Sequence, residues 1–238
     1  MLVGTQIRRV AVLGGARIPF ARGNGAYANL GNQDLLSAAL IGIVERFGLR
    51  GKRLGDVIGG AVIKHSKDFN LVRESLLSSG LDPQTPGLDI QRACGTSLEA
   101  AIEIANKIAL GQIDSGIACG VDSVSDPPIV YPRAYQQILL RAYRARSALQ
   151  RITPFLGLRP RHFMPVMPGT NEPRTRLSMG ESCELMAKNW KVTRQEQDQL
   201  ACDSHLHAAA AWSRGFFDDL VVPCNGLISD NNVRADSS

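Results

Sequence analysis

Acidic side chains are missing from one long stretch of this sequence. Between Asp126 and Glu172 there is no aspartate or glutamate, while Arg133, Arg141, Arg144, Arg146, Arg151, Arg159 and Arg161 fall in the interval. The formal charge of +5 is therefore local, because without those arginines the rest of the chain carries −2. An anion that meets the protein is expected to meet it there. Long apolar runs are also absent. The stretch 35–44 is interrupted by Ser37 and Gly42 and falls short of the roughly 18 residues that span a bilayer. The first residues lack the apolar core and small-residue cleavage site of a secretion signal, so a cytoplasmic location is the expectation. The five cysteines, Cys94, Cys119, Cys183, Cys202 and Cys224, are odd in number, scattered, and contain no C-x-x-C pair. That pattern argues against a disulfide framework and a structural zinc site. Neither repeats nor low-complexity runs occur.

What is present is an ordinary globular composition, 44% hydrophobic and 21% charged over 238 residues, enough for one large or two smaller domains. Short apolar runs at 8–14, 57–63, 88–92 and 117–121 read as strands. Between them, 32–47, 69–79 and 96–110 have helical periodicity, with Asn32 as a candidate cap and Gly48, Gly80 and Gly111 as stops. This alternation predicts the α/β class, with a mostly parallel sheet covered by helices on both faces. Active sites in such sheets lie where strands end and the chain turns into a helix. After Ser125 the pattern gives way to a stretch punctuated by prolines, Pro127 to Pro173, with short basic helical signals. Order returns at 180–190 and 194–213, where Thr193 and Glu196 have capping-box spacing. The predicted division is an α/β core at 1–123, a loop-rich helical insertion at 124–226 and a return segment at 227–238.

The most informative spot is Arg92-Ala93-Cys94-Gly95-Thr96-Ser97. A cysteine between a buried strand and a long helix sits on a sharp turn, where the helix N-terminus favours thiolate over thiol. The same amide N–H groups can steady charge developing on an attacked carbonyl oxygen. Position alone leaves Cys94 open between nucleophile and small buried hydrophobe. Two glycine pairs, Gly14-Gly15 and Gly23-x-Gly25, do not form a dinucleotide-binding G-x-G-x-x-G.

The turn resembles the nucleophile turn of the thiolases, the acyl-CoA acetyltransferases. Ala16-Arg17-Ile18-Pro19-Phe20 resembles that family's first-strand exit, and Cys119-Gly120-Val121-Asp122-Ser123-Val124-Ser125 its Gly-Gly-x-Glu-Ser-Met-Ser stretch, with substitutions. Met179-Gly180 with Glu184 and Ala187, then Thr193 to Asp198, then Ser204-His205 and the alanine run are similar to its loop domain. Arg161 to Val166 and Asp230-Asn231-Asn232-Val233-Arg234 resemble the long-chain branch, which partners a hydratase/dehydrogenase subunit in fatty-acid β-oxidation.

The resemblance implies a thiolase fold and a Cys-dependent acyl transfer. Cys94 would attack a 3-ketoacyl-CoA, acetyl-CoA would leave, and a second CoA would take the shortened acyl group. Coenzyme A is then a substrate, and no permanently bound cofactor or metal is implied. Met179 would pack near the pantetheine and Arg234 would lie near the adenine end. The family's general-base histidine and second cysteine lie in Gly-His-Pro and Cys-Gly-Gly-Gly motifs of a C-terminal domain. Neither motif occurs here, so the expectation is a chain lacking that domain and inactive alone. Of the histidines, His65 follows a strand end and can approach a pocket, His162 is expected at the surface, and His205 and His207 belong to a loop-domain helix. A homo-oligomer, at least a dimer, is implied. The basic segment reads as a solvated face, a dock for a partner subunit, or a peripheral contact with an anionic membrane, and nucleic acid is the poorest fit. Two rivals remain: a ketoacyl synthase, whose nucleophile turn also reads Ala-Cys-x-Thr-Ser, and a non-enzymatic lipid- or partner-binding member of the fold.

Overall fold

A computed structural model of the chain describes residues 7–166 and 169–237; Pro168, one of the prolines punctuating the basic stretch, lies outside them. Helix α1 (Asn32–Arg46) begins where the Gly31 N–H donates to the Asp34 carboxylate at 3.0 Å, so Gly31 occupies the cap position and Asn32 is the first helical residue. Leu35, Leu36, Leu40 and Val44 form its buried stripe. Strand β1 (Asp56–Gly59) follows, then α2 (Leu71–Ser79), β2 (Gly87–Asp89), α3 (Thr96–Ala109) and β3 (Gly116–Ala118). Gly48, Gly80 and Gly111 all take positive φ, the left-handed conformation that ends a helix at little steric cost to glycine.

The three strands are parallel in the order β2-β1-β3, with Ile58 opposite Leu88 on one side and Ala118 on the other. Successive side chains of a strand point to opposite faces, and β1 shows the consequence. Val57 packs with α1 and α2 residues such as Leu40 and Leu76, whereas Ile58 packs with Ala100 and Ile104 of α3. This is the expected α/β architecture with helices on both faces. Residues 7–14 depart from expectation, since no strand forms there and Val12 and Leu13 are 94% and 84% exposed. Apolar composition gives strand propensity, but a strand exists through its ladder. The main anchor of this segment is Arg8, whose N–H donates to the Ala109 carbonyl at 3.0 Å and whose guanidinium meets Asp114 at 2.7 Å.

The chain forms two compact units, Met1–Asp126 with Arg194–Ser238, and Pro127–Thr193. Helix α7 (Arg194–Ser213), anticipated within the 124–226 segment, thus groups with the N-terminal residues. A backbone pairing helps to explain this grouping: Arg17 N–H donates to the Leu220 carbonyl, and Val222 N–H to that of Arg17, at 3.0 and 2.8 Å. The second unit holds α4 (Arg133–Arg144), α5 (Ala148–Ile152), two short 3-10 turns and α6 (Met179–Trp190).

Candidate active site

The carboxyl ends of the three strands converge, and glycines make the convergence close. A Cβ at Gly59 would lie 2.5 Å from the Cys119 sulfur, one at Gly60 would collide with the Ile90 carbonyl, and one at Gly120 with the Ser97 hydroxyl. The strand exits and the start of α3 therefore touch through their backbones. Carboxylates stitch the loops that follow. Asp122 accepts the Val62 N–H at 3.0 Å and the Ile63 N–H at 2.7 Å. Asp89 accepts the Val72 N–H at 3.1 Å, in the first turn of α2, and meets the Lys64 ammonium at 3.4 Å.

Cys94 stands between β2 and the first turn of α3, exposed to solvent. Ala93 beside it has φ +43°, a left-handed backbone that a residue with a Cβ rarely takes. Backbone bonds close the turn, with Gly95 N–H donating to the Arg92 carbonyl at 2.9 Å and Thr96 N–H to that of Ala93 at 3.2 Å. The buried Thr96 hydroxyl donates to the Ala93 carbonyl at 2.7 Å and accepts the Arg92 N–H at 2.9 Å. Arg92 also pairs with Glu99 at 2.8 Å. Ser97 and Leu98, within the first turn of α3, have no intrahelical acceptor for their N–H groups. The arrangement thus offers a solvent-accessible cysteine just before the N-terminus of a helix of 14 residues.

The neighbouring cavity, of about 550 Å³, is lined by Arg17, Phe20, Tyr27, Leu36, Ser97 and Cys119 among others, but not by Cys94. Burial, with a smaller contribution from the charge of Asp89, pushes the Cys119 thiol up to about 12. It stays protonated at neutral pH and is a poor nucleophile.

The remaining expected residues lie apart from the turn. His65 engages Asp126 through Nε2, 3.1 Å from the carboxylate and 3.0 Å from the backbone carbonyl. His162, expected at the surface, is buried, because its Nδ1 accepts the Arg159 N–H at 3.2 Å and draws the ring into the 3-10 turn. His205 Nδ1 accepts the Arg234 N–H at 3.3 Å. Arg234 itself is exposed on a tail anchored by Asp230. That carboxylate takes both guanidinium nitrogens of Arg17 at 2.7 and 2.9 Å, the Phe20 N–H at 2.7 Å and the Trp212 indole N–H at 3.1 Å. Burial alone would raise the Asp230 pKa, but these donors and the Arg17 charge outweigh it and hold the carboxyl below the usual aspartate value. Met179 opens α6 in the other unit, exposed, behind a Ser178 cap that accepts the Glu181 N–H at 3.2 Å. Among the described residues no three His, Cys, Asp or Glu side chains gather as metal ligands, and no helix is long and apolar enough to cross a membrane.

The sequence reading missed the left-handed Ala93 and the Asp230 anchor. Alanine carries no signal of positive φ, and nothing in a sequence pairs Arg17 with a residue so far along the chain.

A family model described as the thiolase N-terminal domain matches residues 10–237. The chain is 35% identical, over 243 aligned residues, to the 3-ketoacyl-CoA thiolases of Yersinia pestis (strain Pestoides F) and Yersinia pseudotuberculosis serotype O:1b (strain IP 31758). Each alignment covers 100% of this chain and 56% of the relative, so the chain spans about half the length of these relatives. The crystal structure of the Bacillus anthracis acetyl-CoA acetyltransferase is similar, with a TM-score of 0.80 and 25% identity over 99% of this chain and 57% of that one. The chain belongs to the thiolase family, and the part of the family it matches is the N-terminal domain.

Proposed function

We propose that the chain supplies the acyl-accepting half of a 3-ketoacyl-CoA thiolase, with Cys94 as the acceptor. The Cys94 thiolate attacks the keto carbon of a 3-ketoacyl-CoA, forming an S–C bond. The bond between C2 and C3 breaks, its electron pair goes to the departing acetyl-CoA enolate, and that carbon takes a proton. The sulfur of a second CoA then attacks the acyl carbon, releasing shortened acyl-CoA and returning Cys94, while the CoA thiol proton passes to a base. The observation that carries this reading is the placement of an exposed cysteine on a left-handed turn against the N-terminus of α3. The names of the thiolase relatives support the substrate class.

None of the described histidines hydrogen-bonds Cys94, and His65 is engaged by Asp126. The base is therefore assigned to a group beyond these residues, and the chain alone is expected not to turn over. Coenzyme A enters as a substrate, with no permanently bound cofactor, Met179 near its pantetheine and Arg234 near its adenine end. The setting is β-oxidation in the cytoplasm, in a homo-oligomer of at least two copies. The seven arginines between Asp126 and Glu172, none with a carboxylate partner among the described residues, together with Leu149, Ile152 and Leu156 at 73%, 61% and 82% exposure, support docking of residues 127–193 on an anionic surface. An acidic face of a hydratase/dehydrogenase subunit or an anionic peripheral membrane surface would fit it.

The test is acyl transfer rather than turnover. Incubation with acetyl-CoA followed by peptide mass spectrometry is expected to find the acetyl group on Cys94, and no transfer with Cys94→Ala. Acetylation spread evenly over Cys94 and Cys183 would favour a lipid- or partner-binding role without chemistry. Transfer from an acyl-carrier protein but not from acyl-CoA would favour a ketoacyl synthase.

A further inference from the structure

The turn that presents Cys94 is built on an unfavourable backbone. Ala93 holds φ +43°, and such a conformation in a residue with a Cβ persists only where its surroundings over-determine it. Two backbone hydrogen bonds contribute, from the Gly95 and Thr96 N–H groups, and any sequence could make them. The other two bonds need a hydroxyl at position 96. The Thr96 Oγ1 accepts from the Arg92 N–H and donates to the Ala93 carbonyl, so one oxygen ties both residues that precede Cys94 to the first residue of α3. The Thr96 methyl has separate work, since it lies 3.3 Å from where a Cβ at Gly60 would stand. It packs against the β1 exit while the hydroxyl closes the turn.

We propose that the Thr96 hydroxyl is the positioning group for Cys94, holding Ala93 left-handed so that the sulfur stays against the N-terminus of α3. The inference rests on the reading of Cys94 as the acyl acceptor and adds a residue that acts through it without touching the substrate. With the hydroxyl gone, the Arg92 N–H loses its acceptor and Ala93 can relax toward negative φ. Cys94, the next residue, then loses the fixed position that the turn gives it before α3.

The two jobs of Thr96 can be separated by substitution. Thr96→Val keeps the methyl and removes the hydroxyl, whereas Thr96→Ser does the reverse. The readout is the rate of iodoacetamide alkylation of Cys94 in the full chain at neutral pH, by peptide mass spectrometry. Cys183 serves as internal reference because it too is exposed, so differences report reactivity rather than access. Thr96→Val is expected to slow Cys94 about tenfold at neutral pH, the order of effect when a buried donor loses its partner. Cys183 should be unchanged, and Thr96→Ser, which keeps the hydroxyl, should stay within about twofold of the parent. Glycine takes positive φ without steric cost, so the double variant Ala93→Gly/Thr96→Val should recover most of the lost rate. If Thr96→Val does not fold, the double variant is expected to restore the circular dichroism of the parent. The inference is overturned by a Thr96→Val chain with the parent's rate, by a Thr96→Ser chain as impaired as Thr96→Val, or by a double variant that recovers nothing. A parent chain whose Cys94 labels no faster than Cys183 would instead sink the acyl-acceptor reading itself, so the two failures are distinguishable.

Discussion

The strand-exit end of the sheet and the arginine-rich unit 127–193 answer their polar groups in opposite ways. At the strand exits each carboxylate has named partners: Asp89 with Val72 and Lys64, Asp122 with Val62 and Ile63, Asp126 with His65. In residues 127–193 none of the nine arginines has a carboxylate partner among the described residues, and of those residues only His162 and Ala187 are buried there. A reacting sulfur must be held within a fraction of an ångström, so the first region satisfies its donors and acceptors internally. A surface that meets another body gains by leaving charge and apolar area unspent. The two regions therefore differ in what a substitution should cost.

The sharpest contrast comes from crowding the strand exits. In Gly60→Ala the new Cβ meets the Ile90 carbonyl, a backbone atom that no rotamer change can move aside. Separation of the exits should cost about 3 kcal/mol, at the upper end for overpacking, and thermal unfolding by circular dichroism would show it. An unchanged melting temperature would mean that β1 and β2 are not in backbone contact at that point. Leu40→Ala is expected to cost about as much, roughly 3 kcal/mol for a large-to-small change in a packed cluster, because Leu40 is buried with Val57 and Leu76. A midpoint in urea shifted by less than a third of that would remove α1 from the core.

A smaller effect is expected at Asp230. Asp230→Asn keeps the shape but loses the charge that receives Arg17, and should cost about 2 kcal/mol at neutral pH. That is below the loss for a fully buried pair, since Arg17 keeps some contact with water. The pH dependence has a definite sign. A carboxyl held below its ordinary value contributes stability that is full above the unfolded pKa and is lost as pH falls through the folded one. The gap between parent and variant should therefore be widest above the ordinary aspartate value of 3.8 and narrow below it. Trp212 donates to the same carboxylate, so its fluorescence should report the change. A gap constant from neutral pH into acid would show that Asp230 acts through packing alone.

How legible each region was in the sequence follows from the range of the interactions. Helices α1, α2 and α3 could be read because periodicity and a terminal glycine are local signals, and α7 was read to its ends. The parallel sheet followed from the alternation of elements. The failure at residues 7–14 is a failure of range, since Val10, Val12 and Leu13 look like a strand whatever lies beside them. At the candidate site, Cys94 stood out by its place between a strand and a helix, but the left-handed Ala93 did not. Its conformation is held by the Thr96 hydroxyl three residues on, a local bond, but alanine is a residue type that carries no signal of positive φ. Arg17 and Asp230 were both noticed within motifs, yet their pairing spans 213 residues.

The smallest effect should come from the most hydrophobic change in the arginine-rich unit. Leu149, Ile152 and Leu156 recur at spacings of three and four along α5 and the 3-10 turn that follows it, an apolar stripe in the sequence, and all three are exposed. Truncating an exposed side chain removes little apolar area that folding had taken from water, so Leu156→Ser should alter stability by no more than about 0.5 kcal/mol. The same change at Leu40 would cost several times as much. Differential scanning calorimetry of Leu156→Ser beside Leu40→Ala places both on one scale. Comparable losses would mean that another part of the chain or a second copy already covers the stripe in solution. The contrast between a satisfied site and an unspent surface would then fail, whereas a near-silent Leu156→Ser leaves the stripe free for a partner.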